Sequence, residues 1–329
     1  MSISLRPRLV NGRFGDPALF VEWAHEREAV LLDCGDLSAL SARDLLRIRT
    51  LAVSHMHMDH LIGFDALLRI NLGRDARINL FGPEGFADRV GHKLQGYTWD
   101  LTDRYVTDCV FHVAELIAPE RLRRFAFRFS RGFEAEEGET AEASGGVICE
   151  TARWRLRAAI LEHHGPCLAY ALDEPRRLNV WKTRLEARGL APGPPWLDRL
   201  KQAMRSGAPE DTAIELPDGS RAPLGSLREL VEISPGATLG YATDLRDTPG
   251  NRAALERLFA GAHLVFLEAS FAADEPGRAW ERAHLTTRAA GEIARAAGAR
   301  RIEPFHFSPR YEGEEERLMR EVEEAFSAG

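Results

Sequence analysis

Apolar and polar positions along this chain fall into short blocks. Ala18 to Trp23 and Glu28 to Asp33 are closely spaced apolar runs, and they predict two strands around a polar turn. The second run stops at Asp33-Cys34-Gly35-Asp36, a turn signal. Ala39 to Ile48 predicts a helix, and Thr50-Leu51-Ala52-Val53 a short strand that runs into a histidine-rich segment. Beyond it, Ile62, Ala66, Leu67 and Ile70 recur at helical spacing. Arg77 to Phe81 reads as the next strand, stopped by Gly82-Pro83.

The middle of the chain is less regular. Phe125, Phe127 and Phe129 alternate with Ala126, Arg128 and Ser130, the period of a strand. Glu134 to Gly146 is acidic and contains glycine, so it reads as a solvated loop. Arg153 to Leu161 alternates as a strand that delivers His163. Asn179 to Ala222 is rich in Gly, Pro and charge, and reads as an insertion between core elements. Core strands resume at Thr238 to Asp244, Leu264 to Glu268 and Arg301 to Phe305, with helices over Thr286 to Ala297 and Gly313 to Ala325. Strands alternating with helices predict an α/β layered domain.

Bulk properties narrow the picture without changing it. The chain has 329 residues and an apolar fraction of 44%, enough for a sizeable core. A formal charge of -7 argues against a uniformly cationic surface, while leaving room for a local basic groove. The four cysteines are widely spaced with no Cys-x-x-Cys pair, which fits reduced thiols in the cytoplasm. No run approaches the roughly 20 apolar residues of a membrane span.

The chemistry concentrates in Ser54-His55-Met56-His57-Met58-Asp59-His60. His55 and His57 are two apart, so in an extended segment both imidazoles face one side and can share an ion. Asp59 and His60 follow where the chain must turn toward the next helix, and the turn can aim them at a second ion. Imidazole nitrogen and carboxylate oxygen together suit Zn²⁺. Packing alone seldom gathers three histidines and an aspartate within six residues, because burying them unpaired costs several kcal/mol. Further on, Asp244 taken alone is a turn or cap residue, and after an apolar strand it becomes a candidate ligand. In Phe305-His306-Phe307 the phenylalanines point opposite to the histidine, which therefore faces out of the apolar layer.

This H-x-H-x-D-H run resembles the metallo-β-lactamase superfamily and, within it, the ribonuclease Z branch. The similarity extends from Leu31 to Tyr311. Leu161 to Tyr170 is similar to the family segment with the next histidine ligand, at the position of His163 rather than His164. Tyr241-Ala242-Thr243-Asp244 resembles the segment of the bridging aspartate, and Pro304 to Tyr311 that of the last ligand. Ala283-His284-Leu285-Thr286-Thr287 resembles the loop of the family's catalytic histidine.

The resemblance implies a four-layer αββα metallo-β-lactamase sandwich, one domain over 1–329, with insertions at about 91–146 and a Gly/Pro-rich helical one at about 179–222. It implies two ions, Zn²⁺ first, with Mn²⁺ or Fe²⁺ as alternatives. His55, His57 and His163 hold one, Asp59, His60 and His306 the other, and Asp244 bridges them. Hydroxide generated between the ions then attacks a phosphodiester. Asp59 is expected to orient it and take its proton, and His284 to stabilise the transition-state charge or protonate the leaving oxygen. Glu268 either orients His284 or is a solvated or capping carboxylate.

Asn179 to Gly207 resembles the arm with which ribonuclease Z grips tRNA, and Lys182, Arg184 and Lys201 are its candidate phosphate contacts. A solvated helical face gives the same charge density. The expected activity is endonucleolytic cutting of RNA at the tRNA 3′ end by a homodimer. A same-fold hydrolase of a small phosphodiester, lactone or thioester shares the metal ligands. A non-catalytic RNA-binding module is the reading from a different class, and it predicts missing ligands. The family's Gly-Thr-containing loop after the first strand is replaced here by Leu9 to Pro17, which bears on the substrate pocket.

Overall fold

The computed structural model describes residues 5–24, 26–234 and 236–328. The chain divides into two compact units, 1–173 with 237–329, and 174–236.

In the larger unit, nine strands form one sheet. Its order is Leu5–Leu9, Leu19–Trp23, Ala29–Leu32, Ile48–Ala52, Ala76–Pro83, Cys109–Ala118, Arg121–Arg128 and Ala135–Glu137, with Ala141–Glu142 also on Arg121–Arg128. The second sheet has six strands, ordered Val147–Glu150, Arg155–Glu162, Pro166–Asp173, Thr238–Ala242, Leu264–Glu268 and Ile302–Phe305. Side-chain alternation assigns each strand two partners. Ala29 and Leu31 point to the helices Phe64–Asn71 and Phe86–Gln95, packing with Phe64, Leu67, Phe86 and Val90. Val30 and Leu32 point the other way, against Leu168, Tyr170, Tyr241 and Phe305 of the second sheet. The second sheet's outer face buries Val265 and Leu267 under Leu255, Ile293, Leu318 and Val322 of three helices. The result is helix, sheet, sheet, helix, and strands buried on both faces read as unbroken apolar runs.

Parallel pairing sets the functional edge. Ala29–Leu32 runs parallel to Ile48–Ala52, with Leu32 opposite Ala52. Thr238–Ala242, Leu264–Glu268 and Ile302–Phe305 are likewise parallel, with Ala242 opposite Leu267 and Glu268 opposite Phe305. Their carboxyl ends therefore lie side by side, where open parallel sheets place their sites. The two sheets are tied at this edge. The Leu168 N–H donates to Ser54 O at 2.8 Å, and the Tyr170 hydroxyl donates to Val53 O at 2.6 Å.

Several elements differ from expectation. The first helix is only Ala42–Arg47, because the Ser41 hydroxyl caps it and Ile48 already belongs to the next strand. Glu134 to Gly146, expected as a loop, contributes two short strands to the sheet edge, where Glu136 pairs with Arg128 at 3.1 Å. Phe129 leaves the strand for a 3₁₀ turn over Phe129–Arg131. Within 91–146, Cys109–Ala118 and Arg121–Arg128 are long regular members of the first sheet.

The smaller unit has its own core of Leu185, Trp196, Leu200, Leu224, Leu227 and Leu230. Arg177–Val180 pairs antiparallel with Val231–Ser234 at its base, so its edges lie outside the expected 179–222. Pro194 opens the helix Pro194–Arg205, where its missing N–H is not needed. Among the described residues, no helix is long and apolar enough to cross a membrane.

Candidate metal centre

The site is built from the loops that leave these strand ends. After Ala52 the chain bends at Ser54 and runs through His55 to an extended His57, then folds into the 3₁₀ turn Met58–His60. That turn is pinned to the preceding strand's end: the Cys34 N–H donates to His60 O, and the Gly63 N–H to Cys34 O, each at 2.9 Å. A Cβ at Gly63 would sit 2.1 Å from Gly35 O, so only glycine allows this approach. Asp33, Asp244 and His306 each stand just past a strand with φ of 57, 52 and 57°. This left-handed turn is uncommon for non-glycine residues and is held here by the surrounding structure.

These turns bring His55, His57, His163 and Asp244 into one group whose donor atoms lie within 4.8 Å of one another, and Asp59, His60 and His306 into another. Asp244 stands in the middle. Its Oδ2 is 3.7 Å from His55 Nε2 and 3.8 Å from His163 Nε2, while Oδ1 is 3.5 Å from His60 Nε2 and 3.2 Å from His306 Nδ1. Asp59 Oδ2 lies 3.4 Å from His60 Nε2 and 3.7 Å from His306 Nε2. His163 is buried in the cluster, and His164 is exposed.

The imidazoles are oriented from behind. The His60 Nδ1–H donates to Asp33 at 3.0 Å, and the His163 Nδ1–H to Ala283 O at 2.8 Å. His55 Nδ1 contacts the Ser54 hydroxyl at 3.1 Å. Holding Nδ1 in this way leaves Nε2 as the free lone pair, the arrangement metal-ligating histidines need. The Nε2 atoms of His55 and His60 are in fact buried without any hydrogen-bond partner, a costly state that a cation would relieve. The electrostatics agree. Burial, with His60 adding to it, pushes His55 down to about 2, so its imidazole is neutral. Burial would raise Asp244, but His306 and His60 hold its carboxyl well below the usual carboxylate range. Burial lowers His60, yet Asp244 and Asp33 outweigh it and draw positive charge to this spot. The donor set therefore fits divalent cations.

Beside the centre, Glu268 is fully buried. It accepts the Leu245 N–H at 2.8 Å, the Ser270 hydroxyl at 2.7 Å and the His284 Nδ1–H at 3.0 Å. Burial disfavours the charged His284, but the Glu268 carboxylate overrides it and lifts the imidazole to about 9. An open cleft of about 380 Å³ borders this side, lined among others by Phe14, Asp16, Asp59, His284, His306 and Arg310. Lys182, Arg184 and Lys201 are in the smaller unit. Lys182 and Arg184 are exposed, Lys201 is half-buried, and the Arg184 guanidinium lies 4.2 Å from the Trp181 ring.

Sequence reasoning saw Asp33 only as part of a turn. It is a fully buried acceptor for the Ser54 N–H (2.6 Å), the Ser54 hydroxyl (2.9 Å), His60 and the Tyr241 hydroxyl (2.7 Å). Ser270 and Tyr241 were missed for the same reason: each looks like an ordinary strand or loop residue, and only the fold reveals its partner.

No protein-family profile matches the chain. A ribonuclease Z from Deinococcus radiodurans is 36% identical over 304 residues, covering 91% of this chain and 88% of that protein. A ribonuclease Z from Microcystis aeruginosa is 29% identical over 293 residues, covering 86% and 76%. Among solved structures, the short form of human tRNase Z superposes with a TM-score of 0.55 at 17% identity, over 92% of each chain. The metallo-β-lactamase fold protein YhfI from Bacillus subtilis gives 0.54 at 15% identity, over 97% of this chain and 92% of that one. At these identities the two structures speak to the fold alone.

Proposed function

The chain belongs to the ribonuclease Z family, with the metallo-β-lactamase fold, and from this premise we propose that it is a metal-dependent nuclease that cuts precursor tRNA at its 3′ side. One observation carries the metal-dependent part: six nitrogen and oxygen donors converge around Asp244, two of them buried imidazole atoms without partners. His55, His57 and His163 would hold one zinc ion and Asp59, His60 and His306 the other, with Asp244 shared. Bound divalent cations supply Lewis-acid polarisation of a phosphoryl oxygen and bring the pKa of water toward neutrality.

The protein's own groups do the rest. Asp59, whose side chain is 42% exposed, is the open carboxylate of the set, placed to orient the attacking water and accept its proton. His284 gives its Nδ1–H to Glu268, whose carboxylate favours the charged imidazole, and its Nε2 is the proposed proton donor to the leaving oxygen. Glu268 cannot swing away, because the Leu245 N–H and the Ser270 hydroxyl hold both its oxygens. Lys182, Arg184 and Lys201 are proposed phosphate contacts on the smaller unit.

His284→Ala should lower turnover by roughly 10²–10³-fold, the usual worth of a positioned acid, while both ions stay bound. Metal analysis beside steady-state kinetics checks this, and loss of metal would rule out the assigned role. The substrate assignment is tested by turnover on precursor tRNA against bis(p-nitrophenyl) phosphate, with a chelator control. Chelator-sensitive cleavage of the RNA at one site is expected. Hydrolysis of the small diester with the RNA left intact would reject the RNA reading and keep the metal centre.

A further inference from the structure

The helix Pro276–Arg282 leads directly into the His284 loop and carries Trp280, whose residue surface is 52% exposed. This ring is not loosely attached. The Arg246 guanidinium lies 4.8 Å from its centroid, and Arg246 Nη1 donates to Trp280 O at 3.0 Å. Arg246 is two residues past Asp244, and its own N–H donates at 2.9 Å to the carbonyl of Glu162, the neighbour of His163. The Trp280 carbonyl also accepts the Ala283 N–H at 3.1 Å, and Ala283 O holds His163 Nδ1. The indole is thus anchored to the segments that carry Asp244, His163 and His284.

A guanidinium covers one face of a ring and leaves the other to solvent. Such a face suits a flat, π-bearing partner, and base–aromatic stacking tolerates any base sequence. Cationic side chains flank it: Arg246 behind, and exposed Arg282 between Trp280 and His284. They complement a phosphate backbone on either side of the stacked base. We propose that Trp280, clamped by Arg246, is the stacking platform for one unpaired base adjoining the scissile phosphodiester, and so a specificity-determining residue. This rests on the RNA-cutting reading above. The platform selects single-stranded RNA over a small diester and sets the register of the strand over the metal centre.

Trp280→Leu and Trp280→Phe separate stacking from simple packing. With precursor tRNA, Trp280→Leu should lower kcat/KM about tenfold, mainly through KM, the size expected for one lost stack. Trp280→Phe should recover most of it. Hydrolysis of bis(p-nitrophenyl) phosphate should stay within twofold for both variants. Abasic substitution at the position beside the cut should cost the wild type the same factor and cost Trp280→Leu nothing more. RNA cutting unchanged in Trp280→Leu would overturn the platform while leaving the nuclease reading intact. Equal losses on both substrates would overturn it in favour of packing under His284. A changed sedimentation coefficient would overturn it in favour of a contact between copies. RNA left uncut by the wild type removes the substrate reading and this inference with it.

Discussion

Asp244→Ala should lower turnover by roughly a thousandfold, about 4 kcal/mol of transition-state stabilisation, and reduce the bound metal from two ions to at most one. Asp244 is buried, ionised and placed between the two groups of donors. His55, His60, His163 and His306 each have a ring nitrogen within 3.8 Å of its carboxylate. Removing it takes away the anion that both groups share and leaves like-charged or neutral imidazoles facing one another. Nothing in the strand depends on the carboxylate, since Thr238–Ala242 is held by its neighbours on both sides. Far-UV circular dichroism should therefore be unchanged. A variant that keeps both ions and works within tenfold of the wild type would contradict the role given to this residue.

Asp33→Ala acts at one remove and should be the most destabilising single change near the centre. Its carboxylate is the common acceptor for a backbone N–H, two hydroxyls and His60. Truncation would leave these donors buried and unmatched, at a cost of about 3–5 kcal/mol in unfolding free energy. It would also free His60 to take the wrong tautomer or rotate, weakening metal binding about 10–100-fold. Tyr241→Phe, which removes one donor and leaves the other three bonds, should cost only about 1 kcal/mol. The denaturation midpoints and metal affinities of the pair check this. Similar, small effects from both variants would show that Asp33 is not the hub.

Much of this centre was legible in the chain because His55, His57, Asp59 and His60 are adjacent, and local spacing needs no knowledge of the fold. His163, Asp244 and His306 were found differently. Each follows a strand, and a resemblance gave them their places. What sequence could not express was the support behind them. Asp33 and Tyr241 have no local signature, since they meet across 208 positions of chain, and Ser270 looks like any loop serine although its hydroxyl bonds Glu268 only two residues away. The left-handed φ of Asp33, Asp244 and His306 is likewise imposed by context, as no glycine marks it.

The fold shows the same division. Alternating strands and helices predicted an α/β layered domain, and the family resemblance supplied its αββα order, yet Cys109–Ala118 was not recognised as a strand. It is buried on both faces for most of its length, so the polar alternation that advertises a half-exposed strand is missing. The short strands at Ala135–Glu137 and Ala141–Glu142 escaped because their composition is polar and their order comes from pairing with Arg121–Arg128. The edges of the smaller unit were misjudged for a similar reason. The pairing of Arg177–Val180 with Val231–Ser234 joins segments some fifty residues apart, which no local pattern records.

The most direct test is a titration of the metal-stripped protein with Zn²⁺, followed by calorimetry and by metal analysis of the product. The account predicts two ions per chain for the wild type and at most one for Asp244→Ala. A wild-type protein that binds no ion, or an Asp244→Ala variant that binds two as tightly as the wild type, would contradict it.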